Sequence, residues 1–290
     1  MKTIKVLAIL SVMALGMNSC TKEAPSGQGT NPFSNPGGDV TTTDPDPGLP
    51  VGDVPADFTK KAVVEKITGE WCGYCPAGAT VLDGIMAANP NKVVGIAVHG
   101  ANGDPFEIPY HNWIKSQTSS GGYPTASIDR ADRISRGAWP GAVSTSLAKT
   151  ADCGLAMVAE ENGGLLDLDV YVGYNSPISS NTKLTILLTE NEVPESSPGA
   201  QSGASSGYIH QHLLRGVLTD LPGDAIELNS SDNYTKVSFA GIDLNGMGIL
   251  DMNNVHIAAI LNVEGGASTD NGNDVLNAQE SSLNEVKKWD

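Results

Sequence analysis

Two hydrophobic periodicities divide the chain. Between residues 58 and 150, short apolar runs alternate with stretches of helical period. Residues 62–67 (AVVEKI) read as a strand, 76–88 as a helix with Ala79, Leu82, Ile85 and Met86 on one face, and 92–98 (KVVGIAV) as a buried strand. Strand, helix and strand in that order make a βαβ unit, which predicts a parallel pair joined by a right-handed crossover. A further helix is expected over 110–117, a strand over 125–129 and a helix over about 141–150. From Cys153 the period becomes two: Leu166, Leu168, Val170 and Val172 alternate with Asp167, Asp169 and Tyr171. Leu184, Ile186 and Leu188 repeat the alternation, as do Val255, Ile257, Ala259 and Leu261. With the runs at 208–218, 225–228 and 234–242, these predict an antiparallel sandwich with a water-facing acidic surface. The expected organisation is an α/β domain over 56–152 and an all-β domain over 153–290.

The chain before residue 56 follows neither pattern. Lys2 and Lys5 precede an apolar run of 12 residues, Val6 to Met17, followed by Asn18, Ser19 and Cys20. A run that short does not span a hydrocarbon layer of roughly 30 Å as a helix, so residues 1–19 read as a cleaved export signal. The cysteine at its end is similar to the lipidated first residue of bacterial lipoproteins, which implies a mature chain anchored to a membrane through acyl chains on Cys20. Residues 20–55 are Gly, Pro, Ser, Thr and Asp with almost nothing apolar to bury, and are expected to form a solvated tether.

Charge narrows the partners. The chain carries 17 Lys and Arg against 33 Asp and Glu, net −16, of which −14 lies in 153–290. No segment offers the basic stripe that a phosphate backbone demands, so no nucleic acid is expected as a partner.

One motif carries chemistry. Trp71-Cys72-Gly73-Tyr74-Cys75-Pro76 sits where the first strand turns into the first helix. Two cysteines with this spacing at a helix start can close a small disulfide, and the helix N-terminus favours the thiolate of the first. Residues, preceding strand and following helix together resemble the thioredoxin family. Gly122-Tyr123-Pro124-Thr125 matches that family's cis-proline loop. The resemblance implies that Pro124 is cis, that it lies against the two cysteines, and that the Tyr123 backbone pairs with a substrate peptide. On this reading Cys72 is the exposed, low-pKa nucleophile, Cys75 is shielded and resolves, and Cys153 is a small buried apolar residue. Where thioredoxins carry a buried carboxylate six residues before the first cysteine, this chain has Lys66, with Glu65 beside it on the opposite strand face.

Other readings of the same residues are weaker. A Cys pair of this spacing is also half of a zinc site, with His99, His111 or Cys153 as further ligands. Zinc knuckles place the pair in a tight turn, however, whereas this pair opens an amphipathic helix. His99 ends the strand expected beside residues 62–67, at the carboxyl rim where ligands bind, and is a candidate acid–base group. His210 and His212 read as exposed polar residues, and residues 270–274 (DNGND) as a hairpin turn. No cofactor and no metal are expected.

Signal, acidic tether, a domain opening with VEKITGEWCGYCP over 64–76, the His99…Asp104-Pro105-Phe106 and Ile128-Asp129-Arg130 elements, and a C-terminal β domain together resemble the 28-kDa outer-membrane protein family. This resemblance implies a lipid-anchored outer-membrane protein of the cell envelope, with a thioredoxin-like domain followed by an immunoglobulin-like β sandwich. Two functions are compatible with it. One is thiol–disulfide exchange on envelope protein thiols through Cys72 and Cys75. The other is a surface binding or scaffold protein whose Cys72–Cys75 disulfide is structural.

Overall fold

The computed structural model describes residues 41–43, 49–118, 121–176, 178, 181–228, 232–265 and 273–290. The export signal, Cys20, most of the tether and the 270–272 part of the expected hairpin turn lie outside the described residues. In chain order the elements are β1 (Thr41–Thr43), β2 (Ala62–Thr68), α1 (Cys75–Ala88), β3 (Val93–His99), α2 (Tyr110–Gln117), β4 (Thr125–Ile128), β5 (Ile134–Ser135) and α3 (Trp139–Leu147). There follow β6 (Cys153–Asn162), β7 (Leu165–Tyr174), β8 (Thr182–Glu190), β9 (Val193–Pro194), β10 (Ile209–His210), β11 (Leu213–Val217) and β12 (Asp224–Ala225). The last are β13 (Tyr234–Asp243), β14 (Val255–Glu264), β15 (Asn273–Ser282) and β16 (Val286–Lys287). The fold is β-rich.

The βαβ unit is present. β2 and β3 pair in parallel from Ala62–Val93 to Thr68–His99, and every residue of both is buried. Helices explain that burial: α1 and α3 cover one face of β2 through Ala62 and Val64, while Tyr110 and Ile114 of α2 cover the other through Val63 and Ile67. α1 starts with proline in its first turn, where the missing N–H costs nothing, and stops at Asn89 before Pro90, which disfavours helical backbone in the residue ahead of it.

The second part packs two sheets face to face. One has the order β1-β13-β7-β6-β16, and Leu155, Met157, Leu168, Val170 and Val237 from it meet Leu184, Ile186, Leu188, Ile257 and Ala259 of the other. That other sheet does not end at residue 152. Its order is β15-β14-β8-β11-β3-β2-β4-β5, with β12 beside β8, and β11 joins β3 in parallel at Leu213 and Ala97. Residues from both sides of 152 therefore share a core: Val63, Val94, Ile96 and Tyr110 pack with Leu187, Leu214, Val217, Ala258 and Ile260. The change of period near 152 marks a change of element type and leaves the sheet intact.

A buried polar network crosses the same junction. Asp129 and Arg130 follow β4 with positive φ (50° and 61°), which turns the Arg130 side chain into the interior. Its guanidinium donates to Asn262 Oδ1 (2.9 Å), Pro222 O (2.9 Å) and Thr185 Oγ1 (3.1 Å), and lies 3.8 Å from Glu65 Oε1, which also accepts from the Tyr110 hydroxyl. Burial raises the Glu65 carboxyl above its ordinary pKa, a shift that the Arg130 charge opposes.

Two expectations need correction here. The tether does not run solvated to residue 55: β1 pairs with β13, Val51 is buried, and Leu49 and Val54 pack with Tyr171 and Tyr234 on the outer face of the first sheet. Those three apolar side chains, spaced among Gly and Pro, were too sparse to mark an ordered segment. A strand at 273–282 was also unforeseen, because Asn277, Gln279 and Ser281 are polar yet buried. Asn277 and Gln279 satisfy backbone groups of other segments: Asn277 Nδ2 donates to Thr59 O and Cys153 O, and Gln279 Nε2 to Leu155 O.

Candidate active site

β2 ends at Thr68, and a turn through residues 69–71 delivers Cys72, whose N–H donates to Gly69 O at 3.0 Å. Three residues later Cys75 begins α1, and the two cysteines form a disulfide with Cα atoms 5.4 Å apart.

The Tyr123–Pro124 bond is cis. Pro124 lies so close to α1 that a Cβ at Gly78 would sit 2.9 Å from its ring, so glycine is what lets the proline loop reach the helix that the disulfide opens. Tyr123 meets Trp71 edge-on with ring centroids 4.9 Å apart. Its hydroxyl is 2.7 Å from His111 Nε2, and His111 Nδ1 is 3.2 Å from Glu107 Oε1, so the ring beside Trp71 is held from behind.

His99 is buried at the end of β3, and Nδ1 lies 3.2 Å and 3.3 Å from the two carboxylate oxygens of Asp104. The same carboxylate accepts the Glu70 N–H at 2.7 Å, which ties the β3 rim to the turn before Cys72. The His99 ring packs edge-on against His210 at 4.8 Å, and His210 Nε2 is 3.3 Å from Glu70 Oε1. Burial lowers the pKa of both histidines; for His210, burial and the neighbouring His99 bring it to about 4. His99 therefore stands behind the cysteine turn within a buried His–His–carboxylate cluster. His210 belongs to that cluster and is not an exposed polar residue. His212 lies beyond β10, with a φ of 58°; it is half-buried and its carbonyl accepts from Ala97 N.

Lys66 and Glu65 face opposite sides of β2, as strand alternation requires. Lys66, on the α1 side, is buried, and burial lowers its ammonium to about 8 against the opposing attraction of Asp83. Cys153 is fully buried in β6, and burial pushes its thiol up to about 12.

Cys72 is not the exposed sulfur expected of a nucleophile: it is 4% accessible and Cys75 2%. The reason is a segment of the second part, residues 195–208, that folds over the turn. Ser202 N donates to Glu70 O at 2.7 Å, and the Gln201 side-chain amide donates to Glu70 O and Cys72 O, each at 3.3 Å. Ser196 donates to the Glu70 carboxylate through its N–H (2.8 Å) and its hydroxyl. Gly203 lies directly on Gly73, where a Cβ would come within 2.1 Å of the Gly73 carbonyl oxygen. Sequence reasoning missed this segment, along with Glu70 and Gln201 as its anchors. Its sequence, ESSPGAQSGASSGY, has the composition of a flexible linker and no period to mark it as ordered.

Fold and site together define a β-rich protein with a Cys-x-x-Cys disulfide at the start of a helix, sealed by a later segment of the same chain. The chain belongs to the Omp28 family, whose model, Outer membrane protein Omp28, matches residues 111–287, and this membership assigns it to the outer membrane of the cell envelope. Among solved structures it is similar to HBP35 of Porphyromonas gingivalis, with a TM-score of 0.68 and 22% identity over 80% of this chain and 77% of that one, a likeness of fold. Protein AGR_C_4864 from Agrobacterium tumefaciens matches with a TM-score of 0.48 and 12% identity, over 81% of this chain and 99% of that one. A domain of the outer membrane lipoprotein Omp28 from Porphyromonas gingivalis matches with a TM-score of 0.30 and 16% identity, over 46% of this chain and 89% of that one. No curated protein sequence matches the chain.

Proposed function

We propose that the protein performs thiol–disulfide exchange with envelope proteins through a thioredoxin-like arrangement of residues 58–150, while held on the membrane by lipid at Cys20. The observation that carries this reading is the Cys72–Cys75 disulfide at the start of α1, with the cis Tyr123–Pro124 bond packed against the same helix at Gly78. In the reduced protein the Cys72 thiolate attacks a partner disulfide, forming a mixed disulfide and releasing one partner thiolate. The Cys75 thiolate then attacks Cys72 Sγ, which closes the Cys72–Cys75 bond and releases the second partner sulfur. The protons of Cys72 and Cys75 end on the two partner thiols; the partner gains two electrons and the protein loses two. Run backwards, the same steps oxidise a partner dithiol.

Replacing Cys75 with Ala should leave Cys72 joined to partner proteins in the envelope, whereas Cys72→Ala and Cys153→Ala should trap none. The burial of both cysteines is also compatible with a second reading, a scaffold with a structural disulfide whose acidic β surface binds a partner. Absence of trapped species, with a reduction potential below about −300 mV, would establish that reading in place of exchange.

A further inference from the structure

The segment over the disulfide is built differently from the rest of the chain. Its neck is closed by the Glu195 N–H donating to Tyr208 O at 2.9 Å and, at its base, by the two-residue pairing of β9 with β10. Inside, the Glu195 carboxylate accepts from Gly199 N (2.8 Å), Gln201 N (3.0 Å) and Gly207 N (2.6 Å), and these backbone bonds hold its pKa down to about 2. The segment is thus a preformed loop organised around its own carboxylate. Its attachment to the cysteine turn is polar: Ser202 N and the Gln201 amide on the carbonyls of residues 70 and 72, and Ser196 on the Glu70 side chain. Ser197, Pro198, Ser205 and Ser206 face solvent. Lifting such a loop breaks a few hydrogen bonds and leaves its internal ones in place, so it opens at a lower cost than global unfolding.

We propose that residues 195–208 are a gating strap that decides which thiols reach Cys72, with Gln201 and Ser202 as the clasp that must leave residues 70–73 before exchange begins. The proposal rests on the reading of Cys72–Cys75 as an exchange site. A thiolate must approach a disulfide sulfur directly, and with the clasp closed Cys72 and Cys75 are both buried. The closed state requires glycine at 203: its φ of +79° and its contact with Gly73 O leave no room for any side chain. Cys153 provides an internal control, since it is buried between strands that open only with the whole fold.

The test follows reduction of the oxidised full chain by dithiothreitol, quenched with iodoacetamide and mapped by mass spectrometry at Cys72, Cys75 and Cys153. Gln201→Ala removes the amide that reaches Glu70 O, Cys72 O and Ser202 O, and should speed labelling of Cys72 about tenfold, the effect of one to two lost hydrogen bonds. Gly203→Ala should do the same by forcing the strap off Gly73. Cys153 should stay unlabelled in all three proteins. Rates within twofold of the parent in both variants, or Cys72 and Cys153 labelled in step, would overturn the gate. Partner trapping and the reduction potential test exchange separately. Faster reduction in the variants with an inert potential would leave the strap and remove the exchange reading, whereas trapped partners with unchanged rates would do the reverse.

Discussion

Lys66 stands in the middle of β2 with its amine buried on the α1 side, and burial brings it from 10.5 to about 8. An ammonium more acidic in the folded than in the unfolded chain opposes folding wherever the unfolded chain holds the proton more tightly. At 1.36 kcal/mol per pH unit of difference, this amounts to about 3 kcal/mol, in full below pH 8 and fading to nothing by pH 10.5. Lys66→Met keeps a flexible stem of similar length and removes the charge. The variant should therefore be about 3 kcal/mol more stable than the parent at pH 7, and the advantage should shrink through pH 9 and vanish near pH 10.5. Urea unfolding of the oxidised proteins at these three pH values measures it, with equal m-values as the check that both unfold to the same extent. Burial also lowers Lys61 to about 8, so the parent's own curve includes that group, and the difference between parent and variant isolates Lys66. A variant less stable than the parent at pH 7, or a difference that does not change with pH, would refute the argument.

Replacing Arg130 with Met leaves the buried Glu65 carboxyl without its cationic partner and should cost about 3–5 kcal/mol by denaturant unfolding, partly restored by adding Glu65→Gln. Fragments 56–152 and 153–290 should each fail to unfold cooperatively alone and should recover a cooperative transition on mixing, because Val63, Ile96 and Tyr110 complete their core with Leu187, Leu214 and Ile260. Cys20→Ala should release the protein from the membrane fraction and abolish incorporation of labelled fatty acid; unchanged partitioning would disprove the anchor.

The elements were legible where local pattern decides structure. α2 spans the expected 110–117, and the strands at 165–174, 182–190 and 255–264 carry the alternation that directs every second side chain into the core between the two sheets. The Cys72–Cys75 disulfide and the cis Tyr123–Pro124 bond were readable because each needs fixed residue types at fixed offsets. What stayed hidden depends on long-range contact. Asn277 and Gln279 look like surface residues until the backbone groups they serve are in place. His210 looks exposed until Glu70 and His99, more than a hundred residues earlier, are set beside it. The strap was the hardest to see, because glycine and serine are chosen there for close approach to another backbone, and the same residues elsewhere make a loose linker.

The seat of β11 between β8 and β3 imposes an order on how the molecule is made. As the chain emerges from its N-terminus, β2 and β3 can pair at once. The outer edge of β3, however, has no neighbour until Leu213–Val217 arrives, and an open strand edge invites mispairing with other chains. The strap lies in that interval, so it reaches its place only as the edge is being closed. The cysteine turn precedes both in the chain, so its cover, like the neighbour of β3, is supplied by sequence more than a hundred residues later.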